Sequence, residues 1–431
     1  MNTEVLLTYI RRIVFWTLDF IKGGNVWRHF KQVQDLLNRQ EINQKQLDTL
    51  LSHTIKTVPF YKKYNEVTSL QQLPVVSKNI IKSEIETFTS DLFDKSELFK
   101  LTTSGSTGTP FSVYQDKNKK NRNTADTMVF AEKADYCIGE KLYYLKIWSL
   151  ANRKSLWTKW IQNIETIDVL NLDDNTLSKL LDDFRKENNP FGVIGYASAL
   201  ETLCKYCDRL PEKIGNTKMV SMISISESLS SEVKQKLTKF FGITVVARYS
   251  NVENGILGQQ RMDNTEEFEL NHASYYFEIM DFERDEVLSD GEIGRIVITD
   301  LYNFAMPMLR YDTGDIGSII QNSVSGKRVL VNLEGRKLDV LYNTQKQLVS
   351  SLLVYKNMWK YSEIDQYQLI QKGAKEYTLR ISTSGFNRSE EIIYEYKSYL
   401  GQDAKIDIEI VHEIPLLDSG KRRKVVQAYY T

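Results

Sequence analysis

The sequence predicts an α/β protein with a large N-terminal α/β domain containing mixed sheets and a small C-terminal α/β domain. Helical patterns alternate with short apolar runs between residues 117 and 250, which is typical of a substantially parallel sheet. The runs cover residues 141–148, 191–194, 219–225 and 244–248. The pattern then becomes strand-rich over 268–320, and further strands are expected near 366–371, 378–382 and 406–411. These observations predict a large domain over 1–335 and a small one over 336–431.

The composition is that of a globular protein and narrows its partners. The chain has 431 residues, and its 56 Lys and Arg balance its 56 Asp and Glu, so no overall field attracts nucleic acid. Hydrophobic residues make up 42%, enough to bury more than one core. Three cysteines cannot form a disulfide framework, which favours a reducing compartment and predicts a cytoplasmic protein.

The first 60 residues are expected to be helical, with an apolar run near the N-terminus. Asp19 interrupts that run early, and it is too short to span a bilayer. A helix docked on the protein is the simpler interpretation. Peripheral contact with a membrane surface is the alternative, because Lys22, Arg28 and Lys31 follow the apolar face.

The densest functional signal is the Ser/Thr/Gly loop at residues 102–110. Glycines let a backbone approach a phosphate, while exposed N–H groups and hydroxyls supply donors. The loop lacks the Gly-Lys-Ser/Thr ending of a P-loop and does not match the dinucleotide fingerprint. A phosphate-binding loop and a flexible surface loop are both compatible with these residues.

Five motifs along the chain resemble those of the adenylate-forming superfamily of acyl-CoA synthetases, peptide-synthetase adenylation domains and luciferases. They are, in the family's order, Thr103-Ser104-Gly105-Ser106-Thr107-Gly108-Thr109-Pro110, Tyr249-Ser250-Asn251-Val252-Glu253, Arg310-Tyr311-Asp312-Thr313-Gly314-Asp315, Gly335-Arg336 and Ser419-Gly420-Lys421. Segments at residues 58–62, 73–78 and 307–311 resemble the phenylacetate-CoA ligase branch and its relatives in capsular polysaccharide biosynthesis. The resemblance covers nearly the whole chain.

The resemblance implies ATP, AMP and Mg²⁺ as cofactors and gives each charged motif residue a role. Lys421 would be the catalytic cation that neutralises charge as a carboxylate oxygen approaches the α-phosphorus. Glu253 would hold Mg²⁺, a cation that prefers oxygen ligands. Tyr249 would stack on adenine, Asp315 would bind the ribose hydroxyls, and Arg336 would reach ribose or phosphate. Without the family, Lys421 is a solvated lysine in a basic run and Asp315 a turn residue.

Other positions receive implied roles from the same resemblance. The nucleotide-binding set is completed by Thr103, Ser104, Gly105, Ser106, Thr107, Gly108, Ser226, Glu227, Ser228, Ser250 and Asn251. Tyr196, Ala197 and Ser198 are expected along the acyl pocket, and Asp339 at the hinge of a mobile small domain. Cys204 and Cys207 have metal-ligand spacing, but a helical pattern without a second pair favours structural cysteines.

Two departures from the family keep the acceptor open. Phe111 stands where many relatives have lysine, and no glycine occurs over 336–372, where CoA-forming members usually have one. The leading hypothesis is therefore an enzyme that adenylates a small carboxylic acid and transfers it to an unknown acceptor, an amine, hydroxyl or carrier, in surface glycan assembly. An acyl-CoA ligase that uses CoA and a catalytically silent nucleotide-binding scaffold are the alternatives.

Overall fold

The structure, a computed structural model, describes most of the chain in two compact units. The described residues are 3–39, 41–103, 111–148, 155–210, 217–282, 284–334, 341–349, 358, 361, 363–383, 385–415 and 424–429. The first unit comprises Met1–Thr103, Ser112–Asp312 and Ser318–Val331. The second is formed chiefly by Asn332–Thr431 and includes Thr313–Gly317.

Nine α-helices are described in the first unit, and their bounds follow the apolar spacing of the sequence. They are α1 (Thr3–Ile21), α2 (Asn25–Arg39), α3 (Gln44–Thr57), α4 (Lys78–Ser83), α5 (Lys117–Glu132), α6 (Leu156–Gln162), α7 (Asp174–Lys186), α8 (Ala197–Asp208) and α9 (Ser231–Phe241). Short 3₁₀ helices cover Pro59–Tyr64, Leu70–Gln72, Lys95–Glu97 and Val169–Asn171. The helical expectation for the first 60 residues is confirmed as three separate helices.

Local capping explains several helix bounds. The Asp116 side chain accepts from the backbone N–H of Lys119 at 2.7 Å and so starts α5. Gly242 ends α9 with a φ of 72°, a backbone conformation that favours glycine. The sequence predicts a cap at Ser77 and a polar helix from about residue 78 to residue 88. Ser77 does cap α4, but the helix ends at Ser83. Turns and bends follow it instead.

Strands of the first unit form a large mixed sheet. They are β1 (Val76–Ser77), β4 (Lys141–Lys146), β5 (Ile164–Asp168), β6 (Phe191–Tyr196), β7 (Met219–Ile225), β8 (Val245–Asn251), β9 (Gly255–Gln260), β10 (Phe268–Leu270), β11 (Tyr275–Met280), β12 (Gly294–Asp300), β13 (Tyr311–Gln321) and β14 (Arg328–Glu334). Their order is β11-β12-β13-β14-β10-β9-β8-β7-β6-β4-β5, and β1 pairs with β13. A separate pair joins β2 (Phe99–Thr103) to β3 (Phe111–Gln115).

Apart from the short parallel pair of β1 with β13, the parallel pairing described in this sheet lies in one half of it. β5, β4, β6, β7 and β8 run parallel, whereas β8–β9, β9–β10 and β10–β14 are antiparallel. The sequence-based expectation of a parallel region followed by a strand-rich region is therefore confirmed. The change of direction occurs between β8 and β9.

Helix α1 presents an apolar face to solvent. Its opposite side packs through Phe15 and Trp16 against a core formed with α2 and α5. No charged residue occupies an exposed position between Leu6 and Ile21, although Phe20 is 79% and Ile21 73% exposed. The exposed apolar side chains are Leu6, Tyr9, Ile10, Ile13, Val14, Leu18, Phe20 and Ile21. Among the described residues, no helix is both long and apolar enough to cross a bilayer.

The second unit is a smaller α/β unit. Its four-stranded sheet has the order β19 (Lys405–Ile410), β18 (Glu376–Thr383), β17 (Ile364–Gln371), β20 (Val425–Gln427), and a hairpin joins β15 (Leu341–Tyr342) to β16 (Leu348–Val349). Helix α10 (Ser389–Leu400) packs against this sheet and buries Ile392, Tyr396 and Leu400 in the core of the second unit. The buried Gln371 side chain accepts from the backbone N–H of Tyr342 at 2.9 Å and so ties the hairpin to the sheet.

Candidate active site

The residues expected around an adenylate lie at the carboxyl edge of the parallel strands. Tyr196 ends β6 and pairs with Ile225, the last residue of β7. Ser226 follows β7 directly, and Tyr249 lies near the end of the neighbouring β8. The carboxyl edge of an open α/β sheet, where the strand arrangement changes, is the usual place for a ligand. The structure therefore brings Tyr196, Ser226 and Tyr249 to one edge.

The loop after β7 has a constrained backbone. Ser226 has a φ of 75°, a left-handed conformation that is uncommon outside glycine. Such conformations cluster at ligand-binding sites, because the surrounding structure must hold them. Burial raises the pKa of the Tyr196 hydroxyl, and the nearby Glu227 carboxylate raises it further. The acyl-side and adenine-side positions expected from the sequence are thus electrostatic neighbours, while their ligand contacts stay predictions.

Glu253 lies two residues beyond the end of β8 and is 7% exposed. Tyr311, the first residue of β13, donates its hydroxyl to Glu253 Oε1 at 2.9 Å. Among the described residues, no donor reaches Glu253 Oε2 within hydrogen-bonding distance. One carboxylate oxygen is thus oriented by the protein, and the other has no protein donor among the described residues.

Two buried side chains donate hydrogen bonds to the main chain at Glu253 and at the next residue. Gln115 donates its amide N–H to the Glu253 carbonyl oxygen at 2.9 Å. The Tyr275 hydroxyl donates to the Asn254 carbonyl oxygen, and Lys119 donates to Tyr275 at 2.9 Å. The carboxylate therefore projects from a main chain fixed on both sides.

Glu253 could bind a magnesium ion only as one ligand among several. No group of three or more His, Cys, Asp and Glu side chains suited to a metal is found among the described residues. Mg²⁺ is commonly bound by one or two carboxylates together with substrate phosphates and water. The free Oε2 of Glu253 is compatible with that arrangement.

Arg310 of the Arg-x-x-Thr-Gly-Asp motif is used structurally. It is 3% exposed and donates through Nε and Nη2 to both Glu278 oxygens, at 3.2 and 3.1 Å. Its Nη1 donates to the carbonyl oxygens of Gln71 and Leu73, and the Val76 N–H donates to the Arg310 carbonyl oxygen at 3.0 Å. Two of the segments that resemble the phenylacetate-CoA ligase branch, 73–78 and 307–311, are thus joined by one arginine.

The remaining expected residues are distributed over both units. Ala197 and Ser198 begin α8, Ser228 follows Glu227, and Ser250 and Asn251 end β8, where Asn251 Oδ1 accepts from the Asn254 N–H at 2.8 Å. Asp315 belongs to the second unit, and its N–H donates to Thr313 Oγ1 at 3.1 Å. Thr103 ends β2. Outside the described residues lie Ser104, Gly105, Ser106, Thr107, Gly108, Arg336, Asp339 and Lys421.

The sequence did not reveal the residues that orient Glu253. Tyr311 is part of a recognised motif, but nothing local indicates that its hydroxyl reaches back to Glu253. Gln115 and Lys119 are separated from Glu253 by more than a hundred positions.

The cysteine pair is structural within the described part of the chain. Cys204 and Cys207 lie on α8 and are 2% and 3% exposed. Burial raises the pKa of each thiol to about 12, so both stay protonated and are poor metal ligands near neutral pH.

Sequence comparisons identify relatives of both parts of the chain. The family model of the CapK C-terminal domain matches residues 341–428. Protein CapK of Staphylococcus aureus is 21% identical, with 97% of this chain and 95% of that protein covered. A phenylacetate-coenzyme A ligase of Pseudomonas putida is 22% identical, with 47% of this chain and 41% of that protein covered.

A solved structure shares the fold. A 2-hydroxyisobutyryl-CoA ligase in the postadenylation state, in complex with R3-HIB-AMP, matches with a TM-score of 0.67. The match covers 89% of this chain and 88% of that one at 14% identity. Together with the ordered motifs and the sequence relatives, it leads to one conclusion: the chain is similar to the phenylacetate-CoA ligases and CapK in sequence, and it shares the fold of the adenylate-forming ligases.

Proposed function

We propose that this protein activates a small carboxylic acid with ATP, forming an acyl-adenylate and pyrophosphate, and then transfers the acyl group to an acceptor. The observation that carries the proposal is Glu253, a buried carboxylate with one oxygen held by Tyr311 and with no protein donor to the other among the described residues. A silent scaffold gains nothing from orienting a buried carboxylate in this way, since burial without a charged partner is costly.

Each half-reaction assigns work to particular side chains. In adenylation, the carboxylate oxygen attacks the α-phosphorus, the bond to the β-phosphate bridging oxygen breaks, and pyrophosphate leaves. Magnesium at Glu253 would neutralise phosphate charge, and Lys421 would stabilise the charge that develops during attack. Tyr249 would stack on adenine and Asp315 would bind ribose. In acyl transfer, the acceptor attacks the acyl carbon and AMP leaves.

The acceptor is the finer part of the proposal. Similarity to a phenylacetate-coenzyme A ligase and a 2-hydroxyisobutyryl-CoA ligase favours CoA as the acceptor. The absence of glycine over 336–372 favours an amine, a hydroxyl or a carrier instead. The likeness to CapK supports a place in capsular polysaccharide synthesis. Adding CoA to the enzyme with ATP and its acid distinguishes these acceptors. If the protein is a CoA ligase, the free thiol of CoA is consumed at the rate at which AMP forms.

Substrate-dependent ATP–pyrophosphate exchange tests the adenylation step. We expect the wild-type protein to catalyse exchange with at least one acid from a panel of amino, hydroxy, aryl and aliphatic acids. Glu253→Gln should lower the rate by at least ~100-fold, because it removes the anionic ligand, and Tyr311→Phe by ~10-fold, because it removes only the orienting donor. Lys421→Ala should impair exchange while ATP binding, measured by calorimetry, is kept.

A matched control is Glu267→Gln, at a buried carboxylate that accepts from the Asn322 side chain instead. It should exchange at the wild-type rate. Full exchange by Glu253→Gln would contradict the metal role. No exchange with any acid despite ATP binding would favour the silent scaffold, and equal loss of binding and exchange in Lys421→Ala would reject its catalytic role.

The exposed face of α1 supports a second proposal, that α1 lies on an anionic membrane surface. Its apolar side chains are followed by the exposed cations Lys22, Arg28 and Lys31, the arrangement of an interfacial helix. We expect co-sedimentation with phosphatidylglycerol-containing vesicles, weaker binding to phosphatidylcholine alone, and loss of binding in Phe20→Glu. Tyr394→Glu, at a 74% exposed residue of the second unit, is the control. A dimer in light scattering that Phe20→Glu dissociates would instead assign this face to a second copy.

A further inference from the structure

Arg248 is a buried cation without an acidic partner in the described part of the chain. Its side chain is buried, with 9% of the residue exposed. Both Nε and Nη2 donate to a single acceptor, Gln259 Oε1, at 2.9 and 2.8 Å. Gln259 is itself fixed, since its amide donates to the Phe130 carbonyl oxygen at 2.7 Å. A neutral amide therefore holds the guanidinium in place without compensating its charge.

Buried charges are normally paired, so this arrangement needs an explanation. Arg122 and Arg310, also buried, each have a carboxylate within reach, in Asp126 and Glu278. Burial lowers the pKa of Arg248 to about 10, and among the described residues the Tyr144 hydroxyl is the one acidic group that opposes this shift. At neutral pH Arg248 is consequently charged and available to an anion. Its Nη1 donates to no acceptor among the described residues.

The position of Arg248 is next to the candidate acyl pocket. It precedes Tyr249 on β8, and because side chains alternate along a strand, the two project from opposite faces of the sheet. The face of Arg248 is the one on which Val246, Ile223 and Ile225 form an apolar cluster. Tyr144 and Tyr196 pack against the same cluster.

Electrostatic contacts connect this cluster to the expected acyl residues. The Arg248 charge lowers the pKa of the Tyr144 hydroxyl, although burial, the larger effect, raises it. Tyr144 also interacts with Tyr196, the residue expected to line the acyl pocket. A second cation, Lys146, lies over the ring of Trp148 at 4.3 Å and over that of Tyr144 at 5.1 Å. The acyl side of the site is thus apolar in its walls and positively charged at one end.

We propose that the acid activated here carries a second anionic group, which the Arg248 guanidinium binds while the other carboxylate reacts with ATP. Arginine held in a fixed orientation binds carboxylate or phosphate through two parallel donors. The preferred substrate class is therefore a short dicarboxylic acid or an acid bearing a comparable anion. This inference rests on the proposed adenylation activity.

The test compares acids that differ only in the second charge. ATP–pyrophosphate exchange is measured with malonate, succinate and glutarate and with the monomethyl ester of each, which keeps the shape and removes one charge. We expect kcat/KM to favour the best dicarboxylate over its monoester by about 10- to 100-fold, the usual value of a hydrogen bond to a charged group. In Arg248→Met this ratio should fall to near one, and in Arg248→Lys to an intermediate value.

Arg261→Met provides the matched control, because Arg261 follows β9 directly and pairs with Asp263 at the surface. Its ratio should equal that of the wild type, and thermal unfolding of each variant shows whether it is folded. Exchange with monocarboxylic acids or monoesters alone, or a ratio that persists in Arg248→Met, would overturn the inference and leave adenylation standing. Absence of exchange with every acid would reject the proposed function and this inference with it.

Discussion

Two buried regions of the first unit differ in how positive charge is compensated. Behind Glu253, Lys119 lies 2.7 Å from Asp300, and Arg122 lies 3.5 Å from Asp126, with all four side chains at most 1% exposed. At the carboxyl edge of the parallel strands, the acceptor of Arg248 is a neutral amide, and no carboxylate in the described part of the chain pairs with it. The difference separates buried charges that are paired within the architecture from one that is a candidate for binding an anionic ligand.

The paired region also has a mechanical role in the site. Lys119 and Arg122 lie on α5, while Tyr275 and Asp300 lie on β11 and β12, so the charges lock a helix to the antiparallel part of the sheet. Tyr275 in turn supports the Asn254 carbonyl oxygen. The network thus fixes the segment that carries Glu253 to the buried core.

The largest effect expected from this comparison is on stability. Lys119→Met leaves Asp300 buried and unpaired and should cost roughly 3–5 kcal/mol. Arg248→Met removes a charge that has no acidic partner among the described residues and should change stability by no more than about 1 kcal/mol. Thermal unfolding followed by circular dichroism measures both variants under the same conditions.

A double variant sharpens this prediction. Lys119→Met combined with Asp300→Asn removes both charges and keeps the acceptor for the Tyr302 N–H, so it should recover part of the loss. If Lys119→Met proved no less stable than Arg248→Met, the distinction between compensated and uncompensated charge would be wrong.

A smaller effect concerns pH. His29 packs its ring against that of Tyr302, and its pKa is lowered to about 4, mainly by burial and next by the positive charge of Arg122. Its folded pKa lies below the unfolded value of 6.5, so protonation favours the unfolded state. The stability contributed by neutral His29 is fully present above pH 6.5 and is lost as pH falls toward 4.

His29→Asn should therefore lose less stability than the wild type between pH 6.5 and 4. Thermal midpoints of both proteins across this range give the comparison, and the difference between the two curves isolates His29 from the carboxylates that also titrate. With only 4 histidines in the chain, proton NMR can follow the His29 ring directly. Identical curves for the two proteins would show that the folded structure does not lower the pKa of His29.

The sequence by itself determined the fold class, the order of the motifs and most strand positions. β7 begins and ends where the apolar run at 219–225 predicts, and β11 lies within the strand-rich region at 268–320, because alternation and turn residues are local properties. The position of Glu253 after β8 was likewise readable from its motif. The domain boundary at residue 335 and the roles of Arg336, Asp339 and Lys421 stay predictions.

Only the tertiary structure decided which charges are compensated. Arg310 and Arg248 are both arginines in or beside recognised motifs, yet Glu278 neutralises one and a glutamine holds the other. The Tyr311–Glu253 contact joins residues 58 positions apart. Such partners are set by strand order and register in the folded sheet, because a side chain's electrostatic environment depends on its neighbours in space and not on those along the chain.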